Sequence, residues 1–132
     1  MRIYICAGGM EHQEASKVSR FLEKHGHIVH FSAQNTPLEI PEEHYFLNNM
    51  VQIRNADVFI AFFTAEGRYG VDYGVQVGMA SEAGKPIIGY VDVEEAYLEE
   101  FYQRFKSDLM FSEAFKYLFT NLEDFGKYLL EA

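Results

Sequence analysis

Short apolar runs alternate with amphipathic stretches along most of the chain. RIYIC (residues 2–6) is a β-rich run ended by Ala7-Gly8-Gly9, which predicts a strand feeding a loop. In residues 11–26, Ala15, Val18, Phe21 and Leu22 recur at helical spacing and Gly26 ends the pattern. HIVHF (27–31) predicts a second strand, and SAQNTPLEIP, with two prolines, a loop. Residues 42–56 place Phe46, Leu47, Met50 and Ile53 on one face of a second helix. DVFIAFF (57–63) is apolar without interruption, as in a strand covered on both sides. A loop over 64–70 then leads to a third helix over 71–84, stopped by Gly84. PIIGYV (86–91) reads as the fourth strand, residues 94–105 as a helix and KYLFT (116–120) as the fifth strand. A last helix follows, with Asn121 as its N-cap.

Strand and helix thus alternate five times, which predicts an α/β fold: a five-stranded, mainly parallel sheet with helices on both faces and right-handed crossovers. Ligands bind such sheets beyond the carboxyl ends of the strands. The loops that matter are therefore residues 7–10, 64–74 and those after Val91. No repeat or linker divides the chain, so one domain over residues 1–132 is expected, and 48% hydrophobic residues suffice for one core.

Charge and cysteine content narrow the function classes. The net charge of 11 − 20 = −9 gives no positive field to draw in a nucleic-acid polymer or an anionic membrane. The single cysteine, Cys6, excludes an internal disulfide, and its apolar surroundings suggest a buried thiol. No apolar stretch approaches the ~20 residues of a membrane span, and the N-terminal run is too short for a signal peptide. A soluble, cytoplasmic protein is the expectation.

The candidate chemistry is sparse. CAGGM lacks both the G-x-G-x-x-G spacing of a dinucleotide site and the G-K-[ST] of a P-loop, and it is poor in the Ser and Thr of a flavin phosphate loop. The five histidines show no metal-ligand spacing, so neither a metal nor a cofactor is expected. Asp57 precedes a buried strand, where a carboxylate commonly bonds nearby backbone. Asp72 opens the third helix, in the loop region where a ligand should sit, and could be its N-cap. Gln76 lies four residues on, on the same helical face. Gly78 and Ala80 are small, which would let this helix pack closely on the sheet.

Taken together, RIYICAGG, IRNADVFIAFF and GVQVGMASEAGKPII resemble the nucleoside 2-deoxyribosyltransferase family and its 2'-deoxynucleoside 5'-monophosphate N-hydrolase relatives. Ala56-Asp57-Val58 and Ala61 match that family's "aDvvvA" strand. Gly78, Ala80, Gly84, Lys85 and Pro86 match its E-x-G-x-A and G-K-P-x-x elements in register. The similarity extends to about Val91. It implies a flavodoxin-like (Rossmann-like) three-layer fold and a homo-oligomer whose neighbours complete each other's site. It also implies cleavage or transfer at an N-glycosidic bond through a carboxylate nucleophile.

This chain departs from that pattern at two positions. The family glutamate falls on Gln76, and a family aspartate falls on Asn49. Each change keeps shape and hydrogen-bonding capacity but loses the negative charge. Three readings follow: a glutamate replaced to trap a ligand, a relative that binds nucleotides without turnover, or a carboxylate role moved to Asp72. The third would displace the nucleophile by one turn, about 6 Å.

By the resemblance, Gln76 stands at the nucleophile position, Asp72 holds sugar hydroxyls and Asn49 supports position 76. Tyr4 and the loop of Ala7, Gly8, Gly9 and Met10 line the base or phosphate side. Arg68 could serve one phosphate, and Asp57 and Gly74 complete the substrate-binding set. The partner implied is a small nucleoside or nucleotide.

Overall fold

The computed structural model describes residues 1–8, 12–32 and 42–131. The elements run β1 (Arg2–Cys6), α1 (His12–Lys24), β2 (Ile28–Phe31), a 3₁₀ turn (Glu42–His44), α2 (Tyr45–Asn55), β3 (Val58–Ala65) and α3 (Val71–Glu82). They continue with β4 (Ile87–Val93), α4 (Glu95–Ser107), α5 (Leu109–Glu113), β5 (Tyr117–Phe119) and α6 (Leu122–Glu131). The strands form one sheet in the order β2-β1-β3-β4-β5, and all four pairings are parallel. This is the flavodoxin-like strand order, with a topological switch beside β1.

The continuous apolar runs behave as covered strands should. Ile3, Ile5, Ile60, Phe62, Ile88 and Tyr90 pack on one face under α1 and α6, with Ala15, Val18, Leu22, Phe125 and Leu129. Tyr4, Cys6, Phe59, Ala61, Phe63, Ile87 and Val91 pack on the other, with Ile53, Val77, Ala80, Phe101 and Phe105. Successive strand residues point to opposite faces, so each strand feeds both cores.

Local signals set the helix ends. α1 and α3 both close on a glycine in the left-handed region, Gly26 (φ +85°) and Gly84 (φ +72°). After α3, Lys85 N donates to Ala80 O at 3.0 Å, satisfying a carbonyl the helix leaves open. α6 is capped as expected: Asp124 N donates to Asn121 Oδ1 at 2.9 Å.

Three features differ from the sequence reading or go beyond it. Phe46 and Leu47 are more than half exposed, and of the predicted apolar face of α2 only Ile53 is buried. The helix packs along α3 and β1, and Phe46, Leu47 and Val51 turn outward. Ala80 does pack on the sheet, but Gly78 is exposed, and a Cβ there would meet nothing within 4 Å. α5 escaped the sequence reading because five residues are too few to show a helical period.

Gly89, mid-strand in β4, pairs with Ala61 and Leu118. A Cβ at this position would lie 2.4 Å from Leu118 Cδ2 and 3.3 Å from Phe63 Cε2. Gly89→Ala is expected to lower stability by about 1–2 kcal/mol, because Leu118 must leave its rotamer. Denaturant titration would check this, and pairing the change with Leu118→Ala should recover part of the loss.

No helix among the described residues is long and apolar enough to cross a membrane.

Candidate functional site

The carboxyl end of the sheet is built around one tyrosine. Tyr4 is fully buried in β1, and its ring lies in a row of three across neighbouring strands. His30 on β2 stacks on one side (centroids 5.7 Å apart, planes at 22°) and Phe59 on β3 on the other (5.4 Å, 16°). Both are register partners of Tyr4, so the pleat alone aligns the rings. The Tyr4 hydroxyl then reaches out of this row and donates to Gln76 Oε1 at 2.7 Å. Burial pushes the Tyr4 phenol far above its ordinary range, so it stays a neutral donor.

Gln76 is half-buried in the second turn of α3. With Oε1 taken by Tyr4, its Nε2 makes no hydrogen bond among the described residues and is left as a donor for a ligand. Asp72, one turn earlier, is exposed. It is not the N-cap: that position is Gly70, and no side chain caps the helix. Gly74, between them in sequence, is exposed, and a Cβ there would meet nothing within 4 Å.

The loop after β1 is pinned from two sides. Ala7 N donates to Ser32 Oγ at 3.3 Å, and Ser32 Oγ donates back to Ala7 O at 3.2 Å. Gly8 N donates at 3.3 Å to the Tyr73 hydroxyl, which in turn donates to Phe62 O at 2.6 Å. Tyr73 thus joins α3, β3 and the first loop through one oxygen. Gly9 and Met10, the other candidates in this loop, lie outside the described residues.

The loop over residues 64–70 is held from the C-terminal third of the chain. Arg104 Nη2 donates to Gly67 O at 2.6 Å, and its guanidinium lies 5.3 Å from the Tyr69 ring centroid. The Tyr69 hydroxyl donates to Asp108 Oδ2 at 2.5 Å, and the ring stacks on Phe111 at 4.7 Å. Arg104 is therefore committed to holding the loop. Arg68 is exposed and paired with Glu66 at 2.8 Å, an ion pair weak enough for the side chain to turn elsewhere.

The remaining candidates separate clearly. Asn49 lies on α2 one turn before the buried Ile53, so it faces the sheet; its Oδ1 is shut off from solvent and has no hydrogen-bond partner among the described residues. Asp57 stands apart at the opposite, amino end of the sheet, where its Oδ2 accepts from Arg2 N at 2.8 Å. Tyr4, Ala7, Gly8, Asp72, Gly74 and Gln76 are brought to the carboxyl end; Asp57 is not.

Open clefts flank α3 on both sides. One, of about 460 Å³, is lined by Met50 and Arg54 of α2 with Gly78, Met79 and Glu82. The other, of about 400 Å³, runs between Gly74, Val77 and Gly78 and the α5 residues Met110 and Phe111. Among the described residues no group of three or more His, Cys, Asp or Glu could hold a metal ion.

The sequence reading did not single out His30, Asn48, Tyr73 or Arg104. His30 alone left a signal, a polar residue interrupting the IVHF run at the parity of Tyr4's neighbours.

No protein-family model matches this chain, and no curated protein matches it. Solved structures do. The CMP N-glycosidase BcmB of Clostridium botulinum aligns over 100% of both chains at 22% identity, with a TM-score of 0.59. A 2-deoxyribosyltransferase from Leishmania mexicana aligns over 68% of this chain and 63% of its own, at 16% identity and a TM-score of 0.55. The five-stranded parallel sheet and its flanking helices are the fold that these two structures share with this chain.

Proposed function

We propose that this chain is a single nucleoside 2-deoxyribosyltransferase-like domain that acts on the N-glycosidic bond of a (deoxy)nucleoside or nucleoside monophosphate. The observation that carries this reading is the hydrogen bond from buried Tyr4 to Gln76. It fixes an amide at the carboxyl end of the sheet, on the helix position where the resembling family carries its glutamate. A reaction of this kind needs a group beneath C1', a holder for the sugar hydroxyls and a place for the base. Gln76 occupies the first position and exposed Asp72 the second. Asn49 backs the site from α2, Arg68 turns to a single phosphate, and Ala7 and Gly8 let a ligand approach the backbone. The likeness to structures described as a CMP N-glycosidase and a 2-deoxyribosyltransferase supports glycosidic chemistry over a binding role without turnover.

The test is direct. Incubation with a panel of deoxynucleosides, ribonucleosides and their monophosphates, followed by chromatography, is expected to show free base from at least one of them. Adding a second base separates transfer from hydrolysis. No base release from any member by the wild-type chain or by Gln76→Glu would overturn the assignment.

The site also lies beside an apolar surface. Leu47 and Val51 of α2 and Val71 and Val75 of α3 are all 44% exposed or more, and Gly74 and Gly78 keep the surface between them low. We propose that a second copy of the chain covers this strip, in a cytoplasmic homo-oligomer whose interface borders the site. Light scattering should give a mass of at least twice 15.3 kDa, and Leu47→Glu with Val75→Glu should reduce it to the monomer. A monomeric wild-type protein at tens of micromolar would refute this.

A further inference from the structure

On the face of the sheet opposite α3, the C-terminal end of α1 and the length of α6 border a cavity of about 150 Å³. Phe21, Leu22, Leu122 and Leu129 give it apolar walls. Gly126, inside α6, makes the room. A glycine within a helix costs stability, and a Cβ here would lie 3.2 Å from Phe21 Cζ. An apolar cavity of about 150 Å³ stays dry and admits one benzene-sized ring. None of the residues that build the Gln76 site lines it.

Two imidazoles line the same cavity, His25 and His27, and their partners fix where the protons lie. His25 Nδ1 is 2.8 Å from Phe21 O, which can only accept, so in the neutral ring Nδ1 carries the proton and Nε2 is an acceptor. His27 Nδ1 is 3.3 Å from Met1 N, which can only donate, so Nδ1 accepts and the proton sits on Nε2. Neither Nε2 has a hydrogen-bond partner among the described residues. Burial, and after it the charge of the Met1 amine, holds His27 below its ordinary pKa and keeps it neutral. The charges on the rim offset one another, since Lys127 and Glu123 pair at 3.3 Å one turn apart on α6. One acceptor and one donor beside an apolar ring-sized space match a hydroxyl on an aromatic ring, because a hydroxyl both donates and accepts. A carboxylate would set its lone pairs against that of His25 Nε2 and its charge against Glu123.

We propose that this cavity binds a small neutral phenol, with the ring between α1 and α6 and the hydroxyl donating to His25 Nε2 and accepting from His27 Nε2. The binding is independent of the glycosidic reading: the cavity shares no residue with the Gln76 site, and its ligand carries no sugar. It gives the chain a second small-molecule site, at the turn that leads from α1 into β2.

The experiment is an NMR titration of the full chain with phenol, benzene and benzoate at about pH 8, where an ordinary imidazole is neutral. Phenol is expected to bind with a Kd on the order of 1 mM or tighter, and benzene and benzoate at least about tenfold more weakly. The amides of Phe21 and Gly126 should shift and that of Gln76 should not. Gly126→Leu fills the cavity and should abolish binding of phenol and benzene alike. His25→Phe and His27→Phe each keep a ring and remove its nitrogens, so each should lower the affinity for phenol to that for benzene and leave benzene unchanged. Should Gly126→Leu fail to fold, these two variants decide the matter alone. No phenol binding at about 10 mM would overturn the proposal. So would shifts centred away from α1 and α6, or an advantage of phenol over benzene that survives in both histidine variants. Shifts at Phe21 and Gly126 that follow protein concentration and ignore phenol would give the cavity to a second copy of the chain instead.

Discussion

Gln76→Glu is expected to raise the rate of base release by about 10³-fold, equivalent to ~4 kcal/mol of barrier. The substitution is nearly isosteric, so Tyr4 can still donate to position 76, now to a carboxylate, which strengthens the bond. What changes is the nucleophile. An amide oxygen can orient a sugar or a water but cannot form a glycosyl ester at C1', whereas a carboxylate can trap the oxocarbenium-like centre and release it to water or a second base. Asp72 shares this helix face and adds a like charge one turn away, but its exposure lets water screen the repulsion. Single-turnover kinetics with mass spectrometry would show the covalent sugar adduct in the glutamate form. Equal rates for both proteins would mean that position 76 only orients the sugar, and the glycosidic step would have to run through direct attack by water.

Gly67→Ala is the substitution with the largest expected loss of stability, about 3 kcal/mol, or a fall of ~10 °C in melting temperature. Two effects add. Gly67 sits at φ +74°, where an L side chain costs about 1–2 kcal/mol. Its Cβ would also lie 2.8 Å from Phe101 Cδ2 and 3.0 Å from Val93 Cγ2, and Phe101 is fully buried with no room to retreat. The loop cannot shift outward without breaking the bond from Arg104 to Gly67 O. Gly74→Ala makes the contrast: same chemistry, helical backbone, open space, and an expected gain of about 0.5–1 kcal/mol. Thermal unfolding of both variants settles the point, since a shared sign would show that the loop is not clamped as described. Gly67→Ala should also impair the site, because Tyr69 and the start of α3 follow within a few residues.

The sheet was legible because its strands are apolar without a break, and residues 57–63 and 86–91 have no other economical burial. Helix boundaries were marked by Gly26, Gly84 and Asn121, each of which has one local role. Burial on α2 was not legible for a physical reason: Phe46 and Leu47 obey the helical period, but the period cannot say whether sheet or a neighbouring surface receives the face. The site was legible where it depends on strand ends and helix starts, as with Tyr4, Ala7, Gly8 and Gln76. It was hidden where it depends on residues distant in sequence. The clamp of Arg104, Tyr69 and Asp108 spans 39 residues between hydroxyl and carboxylate, and neither end carries a local signal. His30 was visible only as a polar interruption, and its meaning needed the register with Tyr4.

The all-parallel pairing has a consequence for how the molecule forms. No two neighbouring strands are joined by a hairpin: Arg2 waits for Ile28, and Ile3 for Val58, 55 positions later. Ladders that distant close slowly, since loop entropy is lost before any contact is gained. On the ribosome, β1 therefore has only the edge strand β2 to pair with until nearly half the chain has been made, and its inner side stays open to wrong partners over that interval.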